Sequence, residues 1–232
     1  MIKQNLSAIK EKIASVCART GRNPQEITLV AVSKGRSIDS LREVIEAGIT
    51  DIGENKVQEA LHKYNMLHAT CNLQRVRWHM LGHLQTNKAK EAVKLFDLIQ
   101  SVDSLRLAAE INRQSGKLKK IQDILVEVNL SAESSKFGIK PEQAEEVIRE
   151  MSEFKNLNIK GLMGIAPIVD LPKKTRPYFR MLKKLRGVIH QPPAASRQPL
   201  ILSMGMSSDF EIAIEEGADM LRLGRAIFGA LN

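Results

Sequence analysis

The chain's 232 residues suit one large domain or two small ones, and α/β barrels reach this length as single domains. Apolar residues make up 43% and aromatic residues only 4%, which demands an aliphatic core and argues against a nucleic-acid platform that stacks bases on rings. Thirty-five basic residues against 26 acidic ones leave a formal charge of +9, a balance that favours anionic ligands such as phosphates.

The chain begins with an amphipathic segment. Ile2, Leu6, Ile9, Ile13 and Val16 recur at steps of four and three, one apolar helix face that docks on a core. Glu11 among the lysines of the polar face argues against a membrane-surface helix. Beyond it one theme repeats: a short β-branched run ends in Gly, Ser or Asn, and a helix-length segment follows. The pattern predicts strands near 27–32, 50–53, 76–81, 97–101, 122–128, 158–164, 200–204 and 219–223. Helices are predicted near 37–47, 55–67, 85–94, 103–115, 141–153, 174–188 and 207–216, with a last turn or helix from 225. The strands are almost wholly apolar, as strands buried on both faces are. Strands alternating with helices imply a parallel sheet, and eight such units imply a closed (β/α)8 TIM barrel, a single α/β domain over 1–232 with an extra N-terminal helix. An open doubly wound sheet is the competing architecture.

The Pro-rich stretch from Gln191 to Pro199 reads as a loop before the seventh strand. The segment from Lys173 to Arg186 is strongly basic, by default a solvated outer face and alternatively a surface for an anionic partner. Cys17 and Cys71 have no paired spacing, so neither a disulfide framework nor a zinc site is expected. Free thiols, no secretory leader and no long apolar run point to the cytoplasm.

Lys34 stands just past the apolar run Ile27–Val32. A lysine at the tip of a buried strand is expected to lose hydration, which favours a neutral, nucleophilic amine able to condense with an aldehyde. Phosphate often binds after strands seven and eight of such barrels. Those places carry Ser203-Met204-Gly205-Met206-Ser207-Ser208-Asp209 and Arg222-Leu223-Gly224-Arg225-Ala226. Glycines let backbone amides approach an anion closely, and serine hydroxyls add donors. Asn55 follows the second strand and could cap the next helix or face a ligand. His79 and His83 are four apart, but on a strand and turn that spacing does not make a metal pair. No Ser-His-Asp set or Gly-x-Ser-x-Gly elbow is present. An amine, an anion cradle and a polar side chain on one barrel face suit a phosphorylated aldehyde, with pyridoxal phosphate the obvious candidate.

Val32-Ser33-Lys34, Gly53-Glu54-Asn55 with Gln58-Glu59, and Trp78-His79 through Gly82-His83-Leu84-Gln85-Thr86-Asn87-Lys88 resemble the pyridoxal phosphate homeostasis proteins. So do Ser203-Met204-Gly205-Met206-Ser207 with Asp209, and Arg222-Leu223-Gly224 through Ala226-Ile227-Phe228-Gly229. The resemblance implies a one-domain barrel related to the N-terminal domain of alanine racemases, with Lys34 holding pyridoxal 5'-phosphate as an internal aldimine. It implies Asn55 near the ring, with His83 also a cofactor-binding candidate. Ser203, Gly205, Ser207, Gly224 and Arg225 would surround the phosphate, partly by backbone, and Arg222 would face the pyridine nitrogen. Ser or Thr is more usual where Arg225 stands, which puts that side chain's part in doubt. The implied role is intracellular cofactor homeostasis and amino-acid balance without established turnover. The implied partners are pyridoxal phosphate and pyridoxal phosphate-dependent apoenzymes, for a monomer free of membrane and nucleic acid.

The residues agree with an absence of turnover. An arginine does not give up its proton, so a ring nitrogen against Arg222 would stay unprotonated and be a poor electron sink. Racemisation needs a second acid-base group opposite the lysine. Tyr64 and Tyr178 fall in predicted helices, and the sequence stops after the eighth unit, leaving no further domain to supply one. The alternatives are a racemase on the same cofactor, a Schiff-base aldolase, and a basic adaptor acting through residues 173–186.

Overall fold

The computed structural model describes residues 1–68, 75–131, 133, 136–189 and 200–230. Its centre is a closed parallel barrel of eight strands in chain order: β1 (Thr28–Val32), β2 (Asp51–Glu54), β3 (Arg77–Met80), β4 (Leu98–Val102), β5 (Gln122–Val128), β6 (Leu157–Gly164), β7 (Ile201–Ser203) and β8 (Met220–Leu223). The first and last strands pair, Thr28 with Met220 through Ala31 with Leu223, which rules out the open doubly wound sheet.

Nine helices are described: α1 (Ile2–Thr20), α2 (Ile38–Glu46), α3 (Val57–His68), α4 (Ala89–Leu95), α5 (Leu105–Lys117), α6 (Ala144–Ser152), α7 (Arg176–Val188), α8 (Phe210–Glu215) and α9 (Arg225–Phe228). Side-chain caps start two of them soon after a strand. Ser37 Oγ accepts the Ser40 amide at 3.2 Å, and Ser104 Oγ accepts the Leu107 amide at 3.3 Å. The stripe Ile2, Leu6, Ile9, Ile13 and Val16 is buried along α1, which packs on α8, α9 and α2. Each such side chain contributes about 1.5–3 kcal/mol relative to exposure. The predicted helix at 207–216 is shorter than read, because Met206–Asp209 form a turn before α8.

Most of the core lies between sheet and helices. A smaller cluster, Val30, Leu81, Leu98, Leu125, Met163 and Met220, unites residues from distant strands, which can meet only along the barrel axis. Successive strand side chains alternate faces, so residues two places further on face inward again. That rule puts Gln100, Glu127, Ser203 and Arg222 inside, toward the C-terminal strand ends, and all four are buried. Cys17 is buried and free. Cys71 and the Pro-rich stretch 191–199 lie outside the described residues. Among the described residues no helix is long and apolar enough to cross a membrane.

Candidate functional site

Lys34 sits at the tip of β1, in a turn closed by the Arg36 amide on the Ser33 carbonyl at 2.9 Å. Gly35 takes φ +69°, a value that favours glycine at this turn position. The turn lifts Lys34 clear of the sheet. Its side chain is exposed, so the loss of hydration expected from the strand context does not arise. Among the described residues it has no hydrogen-bond or ion-pair partner.

What lies beneath the turn was not foreseen. Lys63 of α3 is 3% exposed, and its Nζ reaches the Ser33 carbonyl at 2.5 Å, Glu54 Oε1 at 2.6 Å and Glu59 Oε1 at 2.7 Å. Ser33 Oγ donates to Glu54 Oε1 at 2.5 Å, and the Gly35 amide donates to Glu59 Oε1 at 2.6 Å. Burial pushes the Glu54 carboxyl above its ordinary value despite Lys63 and Ser33. Burial pushes Glu59 the same way, but hydrogen bonds from Lys63 and the Gly35 amide outweigh it and hold Glu59 low. On the other side of the turn, Arg36 donates to the carbonyls of Phe228, Gly229 and Ala230.

A second polar assembly crosses the barrel interior. Arg222 Nη1 donates to Ser203 Oγ at 2.6 Å, and Ser203 Oγ donates to Gln100 Oε1 at 2.7 Å. Gln100 Nε2 lies 2.9 Å from His79 Nδ1, and His79 Nε2 lies 2.9 Å from Asp51 Oδ1. Read from the guanidinium, every link donates in one direction, which assigns His79 as neutral with its proton on Nε2. Burial raises the Asp51 carboxyl, but His79, the Thr50 hydroxyl and the Arg77 guanidinium together outweigh it and leave Asp51 low. Burial lowers Arg222 to about 10, against the opposing pull of Glu127 and Asp209. Ser203 was expected at a phosphate, yet its buried hydroxyl is held between Arg222 and Gln100.

The two glycine loops come together as their sequences suggested. Ser207 Oγ accepts the Ala226 amide at 3.1 Å, tying the loop after β7 to the start of α9. Gly205 takes φ +93°, and a Cβ there would stand 2.6 Å from the Ala213 Cβ, so no larger residue fits. Gly224 lies beside β1, where a Cβ would come 3.4 Å from the Val32 carbonyl oxygen. Arg225 is exposed.

At the mouth, Asn55 is half-buried and makes no side-chain hydrogen bond among the described residues, so it does not cap α3. It lines a cleft shared with His83. His83 Nδ1 lies 2.8 Å from Asp103 Oδ2, and its ring stacks on Phe137 at 3.7 Å between centroids. His79 and His83 therefore serve separate partners, and among the described residues no three His, Cys, Asp or Glu gather to hold a metal. Glu127 was missed. It is the penultimate residue of β5, the strand diametrically across the barrel from β1, and lines a cleft of 510 Å³. Its Oε2 is buried without a partner among the described residues, and burial, then Asp103, pushes the carboxyl up to about 7. Tyr64 and Tyr178 do lie in helices, but the strand across the barrel from β1 carries an acid all the same.

The basic segment is largely neutralised within the chain. Arg176 bonds Glu215 and Glu216, Arg180 reaches Glu216 at 3.1 Å, and Arg186 reaches Asp219 at 3.0 Å.

Residues 4–232 match the family described as alanine racemase, N-terminal domain. The chain is 39% identical over 226 residues to a pyridoxal phosphate homeostasis protein of Aquifex aeolicus, covering 97% of this chain and 96% of the relative. The protein of the same name from Escherichia coli K12 is 36% identical over 232 residues, covering 99% and 96%. Among solved structures, PipY of Synechococcus elongatus with PLP bound superposes with a TM-score of 0.83 at 33% identity, covering 99% of this chain and all 100% of that one.

Proposed function

This chain belongs to the alanine racemase N-terminal domain family and, within it, to the pyridoxal phosphate homeostasis proteins; on that premise we propose that it binds pyridoxal phosphate at the barrel mouth through the Lys34 amine. The single observation that carries this reading is Lys34 held on a clamped turn beside the joined loops after β7 and β8. The donor set fits the group: an amine for the aldehyde, a buried guanidinium at Arg222, and glycine loops with Ser207 for a phosphate. When bound, pyridoxal phosphate supplies an aldehyde carbon that condenses with an unprotonated amine and releases water. Ser207, Gly205, Gly224 and the amide of Arg225 receive the phosphate, Asn55 and His83 border the ring, and Arg222 meets its nitrogen. Ser203 acts one step back, by orienting Arg222.

The role is a bound reserve of cofactor in the cytoplasm, held by a monomer that serves pyridoxal phosphate-dependent apoenzymes, without substrate turnover. Purified protein titrated with pyridoxal phosphate should develop a visible absorbance band, and Lys34→Ala should abolish it. Borohydride reduction should then add the cofactor's mass to wild type alone. A protein that stays colourless and unmodified overturns the reading.

Glu127 favours a second reading, a slow racemase, because it places a carboxyl across the barrel from the lysine. Exchange of an amino acid's Cα hydrogen in deuterium oxide, with inversion that Glu127→Gln removes, would support it. Absence of exchange across the common amino acids would sink it.

A further inference from the structure

We propose that Lys63 and Glu59 are positioning residues for Lys34: together they hold the two peptide groups that flank it and so aim its amine. This inference rests on the cofactor reading above.

The Ser33 carbonyl belongs to the peptide before the Lys34 Cα, and the Gly35 amide to the peptide after it. Lys63 Nζ donates to that carbonyl at 2.5 Å, and Glu59 Oε1 accepts that amide at 2.6 Å. Lys63 and Glu59 are themselves joined at 2.7 Å. Two fixed peptide planes set φ and ψ of the residue between them, and hence the direction of its Cα–Cβ bond. An exposed lysine has no packing of its own to set that direction, so the setting must come through the backbone.

The position of Lys63 is costly for any lesser role. As an exposed pair four residues apart on a helix, Glu59 and Lys63 would stabilise each other weakly and need no burial. Here the ammonium is withdrawn from water, which is tolerated only with close partners. Glu54 compensates the charge at 2.6 Å from beneath, and Ser33 Oγ fixes Glu54 in turn. The lysine's third acceptor is then the backbone next to Lys34 and not a further carboxylate.

The test compares two ligands that differ only at the reacting carbon. Pyridoxal phosphate has the aldehyde; pyridoxine phosphate has the same ring and phosphate with a hydroxymethyl group instead. In Lys63→Met and in Glu59→Ala, affinity for pyridoxal phosphate should fall about tenfold or more while that for pyridoxine phosphate stays within about twofold. Lys63→Arg should recover part of the loss. In the ligand-free protein, Glu59→Ala should also speed hydrogen exchange at the Gly35 amide. Equal losses for both ligands, or no loss for either, would overturn the proposal, the first result leaving the cluster a purely structural role. Should Lys63→Met not fold, Glu59→Ala, at a partly exposed side chain, carries the same comparison. A wild-type protein that binds neither ligand overturns the cofactor reading itself, and this inference with it.

Discussion

The hydrogen-bond chain from Arg222 to Asp51 keeps its charges at its two ends and joins them through Ser203, Gln100 and neutral His79, whereas the cluster at Lys63 packs one ammonium against two carboxylates. Both are buried and both serve the same barrel mouth. They differ in how completely they are satisfied. Each of the interior chain's three neutral members, Ser203, Gln100 and His79, has a partner on both sides, but Glu54 Oε2 is buried without one among the described residues. The lesson is that a polar interior can place a group either by saturating neutral bonds or by balancing charges, and that the second way concentrates the energetic risk on one residue.

Removing that residue is the severest test. Lys63→Met should cost about 3–5 kcal/mol in urea unfolding, because Glu54 is left buried without its cation. A cost below that of an ordinary surface change would show that the cluster is not charge-balanced in the way described. Glu127 offers the opposite sign, since it is buried beside Arg222 without joining the chain. Its folded pKa is raised, so the folded state keeps a proton that the unfolded state has lost, and stability falls as pH rises from 4.5 to about 7. Glu127→Gln should therefore stabilise the protein by up to about 3 kcal/mol at pH 8 and by almost nothing at pH 4.

Cutting the interior chain at its middle should be milder than losing Lys63. Gln100→Leu leaves Ser203 and His79 each short of a partner, worth about 1–3 kcal/mol, and circular dichroism melts would register it. The end of the chain answers to acid. Asp51 has a lowered pKa, so its contribution is present above the unfolded value and is lost as pH falls through the folded one. The deficit of Asp51→Asn relative to wild type should accordingly shrink toward pH 2. The smallest effect belongs to the surface: Arg180→Ala should cost no more than about 1 kcal/mol, and less in high salt.

Strand order, helix order and the tip position of Lys34 were legible because each depends on local pattern: apolar runs, glycine punctuation and helical spacing. Every described strand lies within a residue or two of its predicted place. Barrel closure was an inference from counting, and the β1–β8 pairing now supplies it. Lys63 was illegible because Glu59 and Lys63, four apart, look like any solvated helix pair until the tertiary fold folds them under a turn. The exposure of Lys34 was misjudged because a turn of four residues outweighs the burial of the strand before it. A signal did exist for the interior chain. Gln100 and Arg222 each stand two residues beyond an inward apolar side chain, Leu98 and Met220, so strand alternation alone turns both into the barrel.

The one-way order of the interior chain makes it an insulator. For a proton to hop along it, Arg222 would have to give one up and Asp51 accept one, and a guanidinium does not deprotonate in proteins. Charge thus cannot be relayed between the base of the barrel and whatever lies against Arg222. The protein can hold such a group in place, but through this route it cannot recharge it.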